Sequence, residues 1–173
     1  MVLQAIKYKR GELEILDQLL LPHHEVYINI QSPRDAWVAI QSMQVRGAPA
    51  IAIVAALSLA VFLACHKDDD RYTISSQFIA HSLKYLVTSR PTAVNLADAA
   101  KKLERVVYTA HYRPGSSSES VLEAYIKAAE QMLVDDRQDN ENIGKFGAEW
   151  ILKHQYSVQP NGEVAVLTHC NTG

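Results

Sequence analysis

The sequence predicts a mixed α and β protein: a small N-terminal antiparallel β region, a mostly helical domain, and a final strand that begins another domain. Three observations support this prediction. Residues 1–30 alternate apolar and polar side chains, whereas residues 31–158 repeat apolar side chains at helical spacing. Residues 159–173 hold an apolar run that ends in a small polar turn, as the first strand of a doubly wound domain does. We expect these three ranges to be the domains of the chain.

The first thirty residues predict three short strands. The segments "VLQAIKY" and "LEILDQL" alternate in polarity on either side of Gly11, which predicts a β-hairpin with Gly11 in its turn. The segment "EVYINI" predicts a third strand. We therefore expect a small antiparallel sheet at the N-terminus.

About six helices are predicted to follow. The first has Ser32 as its N-cap, Pro33 at its first position and Asp35 in its first turn, and it runs to about Gln44. The acidic residues at 135–139 are interpreted as caps at the junction between the last two helices. The later helices are predicted to begin at Pro49, Ser75, Pro91, Ser120 and Asn140.

The segment from Gly47 to Cys65 holds 19 residues without a charge. That length can just span a bilayer. However, seven of the residues are alanine, which contributes little to membrane insertion, and Gly47 and Pro49 shorten the usable helix. We therefore expect a fully buried core helix, with Cys65 in the core at its end.

Charge and cysteine content argue against several functional classes. The net charge is −2 and the pI is about 6.4, so nothing indicates binding to nucleic acid or to an anionic membrane. Two cysteines do not form a disulfide framework, and no signal peptide is recognisable, which favours the cytoplasm. The seven histidines are scattered without metal-ligand spacing, so no metal site is expected.

Two arginines stand just before helices that begin with proline. Arg46 and Gly47 precede the helix predicted at Pro49, and Arg90 precedes the one predicted at Pro91. Each start combines a guanidinium, which matches phosphate oxygens, with the free N–H groups and the positive dipole end of a helix. Gly47 would let an anion approach the backbone closely. Ordinary helix starts with solvated arginines fit the same pattern, so the residues alone leave both interpretations open.

Cys170 stands at the end of the predicted final strand, beside His169. A helix N-terminus and a neighbouring histidine both favour the thiolate form of a cysteine. Asn171, Thr172 and Gly173 could supply backbone N–H donors for an anion. From the residues alone, an isolated cysteine is more often a small buried hydrophobe, so a reactive thiol is the less common alternative.

Three motifs, in this order, resemble those of the methylthioribose-1-phosphate isomerase family of methionine salvage. They are "MQVRGAPAI" (Met43–Ile51), "SRPTAVNL" (Ser89–Leu96) and "LTHCNTG" (Leu167–Gly173). The opening "MVLQAIKYKRGELEILDQLLLP" is similar to the eukaryotic start of that enzyme, and "DNENIGKFGA" (Asp139–Ala148) is similar to one of its helix starts. The resemblance covers the whole chain.

The resemblance implies a fold, an activity and a site. The family has a mostly helical N-terminal domain with a small β region, and a C-terminal Rossmann-like domain that this chain would enter with its last strand. It converts 5-methylthioribose 1-phosphate, an aldose, into the ketose 5-methylthioribulose 1-phosphate without a metal or organic cofactor. By resemblance, Arg46, Gly47, Ala48 and Arg90 bind the substrate, chiefly its phosphate, and Cys170 is catalytic. The complete protein is expected to be a homodimer, cytoplasmic and also nuclear.

Two relatives of this family are alternatives. One is a non-catalytic regulatory subunit of the initiation-factor exchange complex, and the other is ribose-1,5-bisphosphate isomerase. Cys170 and the intact "RGAPAI" segment favour the enzyme over the regulatory subunit. The family's acid–base aspartate belongs to the C-terminal domain and has no counterpart in these residues, so we expect the 173-residue chain to be inactive by itself.

Overall fold

The structure is a computed structural model, and it describes residues 3–67, 74–154, 164, 166 and 167. These residues belong to two compact units, Met1–Leu133 and Val134–Gly173. The first unit contains a three-stranded antiparallel sheet, several helices and a continuous apolar core. The predicted mixed α and β class is therefore confirmed.

The N-terminal sheet has three antiparallel strands in the order β1, β2 and β3. Their bounds are Ile6–Lys9 for β1, Glu12–Leu16 for β2 and Tyr27–Asn29 for β3. Gly11 lies in the turn between β1 and β2 with a φ of +87°, which glycine adopts without steric cost. The hairpin, its turn residue and the third strand are confirmed.

Helix α1 (Pro33–Gln41) begins as predicted but ends earlier. The Ser32 hydroxyl accepts a hydrogen bond from the Asp35 backbone N–H at 3.2 Å and donates one to the Asp35 carboxylate at 2.9 Å. These bonds cap the first turn. The helix does not reach Gln44 because Met43 has a left-handed φ of +63°, which a right-handed helix cannot contain.

Helix α2 (Ala48–His66) forms the centre of the core, with 12 of its 19 residues buried. Among the described residues it is the one helix long and apolar enough to cross a bilayer, and 67% of its most apolar window is buried inside the protein. Burial on all sides explains its uniform apolarity. The prediction that Cys65 lies in the core is wrong. This side chain is exposed in the last turn of α2, where its thiol donates a hydrogen bond to the Gly11 carbonyl at 3.5 Å.

Helices α3 (Ser76–Val87) and α4 (Val94–His111) pack against each other, and both pack against α2. Helix α3 begins close to the predicted start, and the Ser75 hydroxyl caps it by accepting a hydrogen bond from the Phe78 N–H at 3.2 Å. Helix α4 does not begin at Pro91 as predicted. The Ala93 N–H donates to the Arg90 carbonyl at 2.9 Å, so Pro91 takes the second position of a β-turn, which suits it as well as a helix start does.

One helix, α5 (Ser118–His154), stands where two were predicted. Its 37 residues continue through the acidic residues at 135–139, so the prediction that these residues cap helix ends is wrong. The prediction failed because a polar run followed by Gly144 looks like a break, although a helix interior tolerates glycine at a modest cost. In the first unit, α5 buries Tyr125, whose hydroxyl donates to the Ala56 carbonyl of α2 at 3.1 Å.

A polar cluster joins the hairpin to α5. Arg10 donates to the Glu130 carboxylate through Nε at 2.9 Å and Nη2 at 2.6 Å, and to Glu123 through Nη1 at 3.0 Å. The Tyr8 hydroxyl donates to Glu130 at 2.9 Å. The Arg10 hydrogen bonds hold the pKa of Glu130 below its ordinary value, whereas burial raises the pKa of the Tyr8 phenol above its own. The cluster therefore favours an ionised Glu130 at neutral pH.

The predicted final strand falls mostly outside the described residues. Val164, Val166 and Leu167 are described, and they lie in no strand or helix. Leu167 is 96% exposed, whereas a strand of a doubly wound sheet is buried on both faces. The Rossmann-like strand is therefore not confirmed, and Cys170 lies outside the described residues.

Candidate functional site

The first arginine motif lies in a tight turn that precedes α2. The Gln44 N–H donates to the Ala39 carbonyl at 2.9 Å, and the Gln18 N–H donates to the Gln44 carbonyl at 2.9 Å. The buried Asp17 carboxylate accepts a hydrogen bond from the Gln44 side-chain amide at 2.9 Å. Because Asp17 directly follows β2, the sheet holds the turn that presents Arg46.

Arg46 and Gly47 stand at the N-terminus of α2 with free hydrogen-bond donors. Arg46 donates from Nε to the Met43 carbonyl at 3.3 Å, and its terminal nitrogens have no partner among the described residues. Gly47 is the N-cap, and its φ of +94° favours glycine. No side chain caps this helix, no acidic residue lies in its first turn, and Gly47 and Ala48 are exposed. The start of α2 can therefore bind an anion.

The second arginine motif lies in the turn between α3 and α4. The Thr88 and Ser89 hydroxyls donate to carbonyls of the last turn of α3, each at 2.6 Å. Arg90 follows them, partly exposed, and its side chain has no hydrogen bond or ion pair among the described residues. Helix α4, like α2, has no side-chain cap and no acidic residue in its first turn, whereas Ser32 and Ser75 cap α1 and α3. Its first N–H groups are thus equally available.

Helix α1 connects the two turns. The Trp37 indole N–H donates to the Thr88 hydroxyl at 2.9 Å, so the end of α3 lies beside α1, which leads into the Arg46 turn and the start of α2. At the other end, Phe62 of α2 stacks on Phe78 of α3 with ring centroids 5.7 Å apart. Helix α3 therefore runs antiparallel to α2. Helix α4 follows after a short turn and packs on both, so it begins at the end where α2 begins.

The four predicted substrate-binding residues lie at the same end of the first unit. Arg46, Gly47 and Ala48 are at the start of α2, and Arg90 is in the turn before α4. Their roles remain predictions. The predicted catalytic residue, Cys170, is outside the described residues. Within the described part of the chain, no group of three or more histidine, cysteine, aspartate or glutamate residues is arranged to hold a metal ion.

Sequence reasoning missed the side chains that hold the two turns. Asp17 and Gln44 meet across 27 positions, and Trp37 and Thr88 across 51, so no local pattern pairs them. The left-handed φ of Met43 could not be predicted either, since residues other than glycine rarely adopt this conformation. One signal was present: an aspartate directly after an alternating strand often starts a turn by accepting a bond from the backbone two residues later, as Asp17 does.

A family comparison identifies the group to which the chain is related. Residues 44–173 match the model of the Initiation factor 2 subunit family, and this range includes well over half of the chain. The chain belongs to this family. The matched range begins in the turn that presents Arg46 and also includes the Arg90 motif.

Curated relatives of this Initiation factor 2 subunit family member are named as isomerases. The chain is 60% identical over its full length to a methylthioribose-1-phosphate isomerase of Pyrenophora tritici-repentis, of which it covers 44%. It is 55% identical, again over its full length, to the protein of the same name from Talaromyces stipitatus, of which it covers 46%. The chain thus spans less than half the length of the curated relatives it matches.

Two solved structures share the fold of this family member. The 5-methylthioribose 1-phosphate isomerase of Pyrococcus horikoshii OT3 matches with a TM-score of 0.73 and 25% identity, over 86% of this chain and 40% of that one. The delta subunit of translation initiation factor eIF-2B from A. fulgidus matches with a TM-score of 0.68 and 28% identity, over 86% and 42%. The fold is therefore common to proteins with both names.

Proposed function

We propose that this chain is the N-terminal part of an isomerase that converts 5-methylthioribose 1-phosphate into 5-methylthioribulose 1-phosphate. The observation that carries the proposal is the 60% identity, over the whole chain, to a relative named for that activity. The solved structures alone do not separate the two names, since the isomerase is 25% identical to the chain and the eIF-2B delta subunit is 28% identical. The uncapped helix starts beside Arg46 and Arg90 add the chemistry that a sugar phosphate requires.

Phosphate binding is the part of this function that the described residues can support. A phosphate at the start of α2 would accept hydrogen bonds from the free nitrogens of Arg46 and from backbone N–H groups next to Gly47. Gly47 has no Cβ, which leaves room for a close approach of an oxygen atom. Arg90, at the same end of the first unit, would supply the second guanidinium. Ala48 would contribute its backbone N–H.

The proposed reaction is redox-neutral and needs a proton donor and a proton acceptor. The bond between C1 and the ring oxygen breaks, and the ring oxygen gains a proton. Hydrogen moves from C2 to C1, and the 2-hydroxyl loses its proton as C2 becomes a carbonyl. Two groups with well-separated pKa values suit these transfers. We assign Cys170 to one of them, or to stabilising the charge that develops, and the partner group to residues beyond the 173.

The complete enzyme is proposed to have a second, Rossmann-like domain. In that arrangement, residues 1–30 form the β region, residues 31–158 the helical domain, and residues 159–173 the first strand and turn of the second domain. The greater length of the curated relatives is consistent with residues for such a second domain after these 173. Ligands of such domains bind beyond the carboxyl ends of the strands, where Cys170 would stand. We propose a homodimer of the cytoplasm and the nucleus that needs no metal or organic cofactor and binds neither nucleic acid nor membranes.

Phosphate binding by the 173-residue chain tests the site. We expect Arg46→Gln and Arg90→Gln each to weaken the binding of 5-methylthioribose 1-phosphate by about tenfold or more, because each removes a charge-assisted hydrogen bond. Calorimetric titration measures the change. Arg137→Gln, which alters an exposed arginine of α5, is the matched control and should bind like the unmodified chain. Equal affinity in all four proteins would contradict the assignment.

A regulatory subunit without catalysis is the second candidate function. This candidate function is supported by the structural similarity to the eIF-2B delta subunit, with a TM-score of 0.68. A regulatory subunit need not discriminate between phosphorylated sugars, whereas the isomerase site should bind 5-methylthioribose 1-phosphate more tightly than inorganic phosphate. Equal affinities would favour the regulatory subunit. Tighter binding of ribose 1,5-bisphosphate would favour the bisphosphate isomerase instead.

A further inference from the structure

A groove between α3 and α4 lies away from the two arginine turns. Its volume is about 520 Å³, and its wall on α4 extends from Lys101 to the tyrosine just past the end of that helix. The arginine turns adjoin the start of α4 at Val94. At 1.5 Å per residue, the groove therefore begins about 10 Å along the helix axis from that start and extends farther from it. No residue of the candidate phosphate site lines the groove.

Basic and aromatic side chains form a single stripe along this wall. Lys101, Arg105, Tyr108 and Tyr112 follow one another at intervals of four, three and four residues, which places them on the same face of a helix. All four are exposed, and the two tyrosines keep 64% and 68% of their surface accessible. Two large rings left in solvent side by side offer an apolar surface for a ligand.

The aromatic end of the groove is an open cluster of rings. The Tyr108 and Tyr112 centroids are 4.6 Å apart at an interplanar angle of 48°, and the His111 and Tyr112 rings are nearly perpendicular, at 88°, with centroids 4.9 Å apart. These contacts hold the rings against one another without covering them, as the high exposure of the tyrosines shows. A planar ligand can therefore stack on their free faces.

The other end of the groove carries excess positive charge. Lys84 from α3 and Lys101 and Arg105 from α4 line it, and none of them has an ion pair among the described residues. Glu104 is the acidic residue in the wall, so the lysine, arginine and glutamate side chains of the lining sum to a net charge of about +2 at neutral pH. This end offers ammonium and guanidinium donors to an oxyanion.

We propose that the groove binds a nucleoside monophosphate, with its base on the tyrosine rings and its phosphate at Lys101 and Arg105. Aromatic side chains stack on bases, and cationic side chains bind phosphate, so the two ends of the groove match the two ends of such a ligand. The axial rise from Arg105 to Tyr108 is about 5 Å, which a single ribose can bridge. The negative end of the α4 dipole near Tyr112 disfavours the reverse orientation.

A free nucleotide fits this groove better than a nucleic acid strand. The volume of about 520 Å³ is that of a site for one small molecule. The chain carries a net charge of −2, without the basic excess that accompanies binding to a polymer of phosphates. The proposal is independent of the isomerase function, since the two sites share no residue.

Titration of the 173-residue chain with adenosine 5′-monophosphate tests the proposal. We expect saturable NMR shift changes on α3 and on 101–112, and the affinities are read from these residues because the arginine turns also offer donors to a phosphate. Adenosine and ribose 5-phosphate should each bind at least about fivefold more weakly, because each lacks one of the two recognised groups. Affinity should fall as salt rises, since the phosphate contacts are exposed. Saturation transfer from tyrosine ring protons to the base should be visible in the unmodified protein.

Substitutions at the two ends of the groove separate stacking from charge. Tyr108→Leu combined with Tyr112→Leu should weaken adenosine monophosphate binding by about fivefold or more and abolish the difference between this ligand and ribose 5-phosphate. Lys101→Gln combined with Arg105→Gln should weaken binding and reduce its dependence on salt. Lys127→Gln, an exposed lysine of α5, is the matched control, and Arg46→Gln should leave this affinity unchanged.

Several results would overturn the proposal. The first is the absence of saturable binding, and the second is equal affinity for ribose 5-phosphate and the nucleotide. The third is a loss of nucleotide affinity in Arg46→Gln as large as the loss in the groove variants. A single-stranded oligoadenylate that binds more than tenfold tighter per site would show that the groove serves a polymer. A failure of the Arg46 and Arg90 variants to alter sugar-phosphate binding would reject the isomerase site and leave the nucleotide groove unaffected.

Discussion

Glu130 accepts hydrogen bonds from two residues of the N-terminal hairpin. Its carboxylate holds Arg10 at 2.6 and 2.9 Å and Tyr8 at 2.9 Å, and so ties the hairpin to α5. Because the Arg10 hydrogen bonds lower the pKa of Glu130, the folded protein binds a proton there less readily than the unfolded chain does. The pair therefore stabilises the fold above the ordinary pKa of 4.5, and this stability is lost as pH falls through the lowered value.

Replacing Glu130 should make that pH dependence visible. We expect Glu130→Gln to lower the free energy of unfolding by about 1 kcal/mol at pH 7, a modest figure because the Arg10 side chain is 44% exposed. The difference from the unmodified protein should shrink well below pH 4.5. Urea unfolding at several pH values measures it. Glu12→Gln, in the exposed pair with Lys9, is the control and should change little. A difference that is constant with pH would contradict the assigned cause.

At the scale of single residues, local signals were predictable and distant partners were not. Ser32 and Gly11 were assigned correctly because a cap and a tight turn depend on neighbours within a few positions. The partner of Arg10 lies 120 positions away, and nothing in either neighbourhood indicates it. Cys65 was misplaced since an apolar run does not show where its last turn leaves the core.

Among the helices, α2 contributes most to the apolar core. It packs against β1, β2, α1, α3 and α4, and from Ala48 to Val61 its side chains are small or aliphatic around the whole circumference. Its seven alanines let neighbouring helices approach closely, while its larger residues fill the space between them. Leu57, fully buried in the middle of the helix, is one of these larger residues.

Truncating Leu57 should strongly destabilise the first unit. We expect Leu57→Ala to cost about 2–5 kcal/mol, because it removes buried surface and leaves a cavity that the packed helices fill incompletely. Thermal or chemical unfolding measures the loss. Val94→Ala, at a side chain that is 77% exposed, is the control and should stay within about 0.5 kcal/mol of the unmodified chain. Equal effects at the two positions would argue against α2 as the centre of the core.

The two glycines inside α5 are expected to weaken that helix. A Cβ added to Gly147 meets no atom within 4 Å, so Gly147→Ala should stabilise the helix by about 0.5–1 kcal/mol through reduced backbone freedom. Slower amide exchange in the adjoining turns of α5 is the measurement. Gly115→Ala is the opposite case, because Gly115 has a φ of +75° and an added side chain is strained there. Faster exchange in Gly147→Ala would refute a continuous helix at this position.

At the scale of elements, type was easier to predict than boundary. The cap at Ser32 identified α1, an uninterrupted apolar run identified α2, and apolar side chains at helical spacing identified α3. The start of α4 was misplaced by three residues since proline serves a helix start and a β-turn equally. The continuity of α5 was missed because its second half repeats no buried face, and Ile143 and Trp150 are 71% and 64% exposed there.

On the scale of the whole molecule, the predicted site is assembled from distant parts of the chain. The fold brings Arg46 and Arg90 to one end of the first unit through helix directions that the short connections between helices impose. Their pairing could be suspected from the sequence, since the two helix starts look alike. The turns that present them could not be predicted, because a left-handed Met43 and the contact between Trp37 and Thr88 depend on packing.

Catalysis is expected to require more than these 173 residues. The chain spans 44–46% of the curated isomerases it matches, and isomerisation needs both a proton donor and a proton acceptor. With 5-methylthioribose 1-phosphate, we expect turnover at least about 100-fold below that of a polypeptide of the relatives' full length. Ketose formation is the measurement. In the longer protein, Cys170→Ser should lower turnover while substrate affinity stays nearly unchanged. Comparable rates from the two lengths would contradict the need for a second domain.

The uniform apolarity of α2 affects how the chain folds during its synthesis on the ribosome. The sheet and α1 precede α2 in synthesis and can cover part of it at once, but α4 is complete only 45 residues after α2 ends. At about 5–20 residues per second, that interval lasts about 2–9 seconds. During this time a nascent segment with the length and hydropathy of a membrane anchor lacks its principal helical neighbour. During synthesis, the apolar surface of α2 is therefore accessible to cellular chaperones before the helices that pack on it have formed.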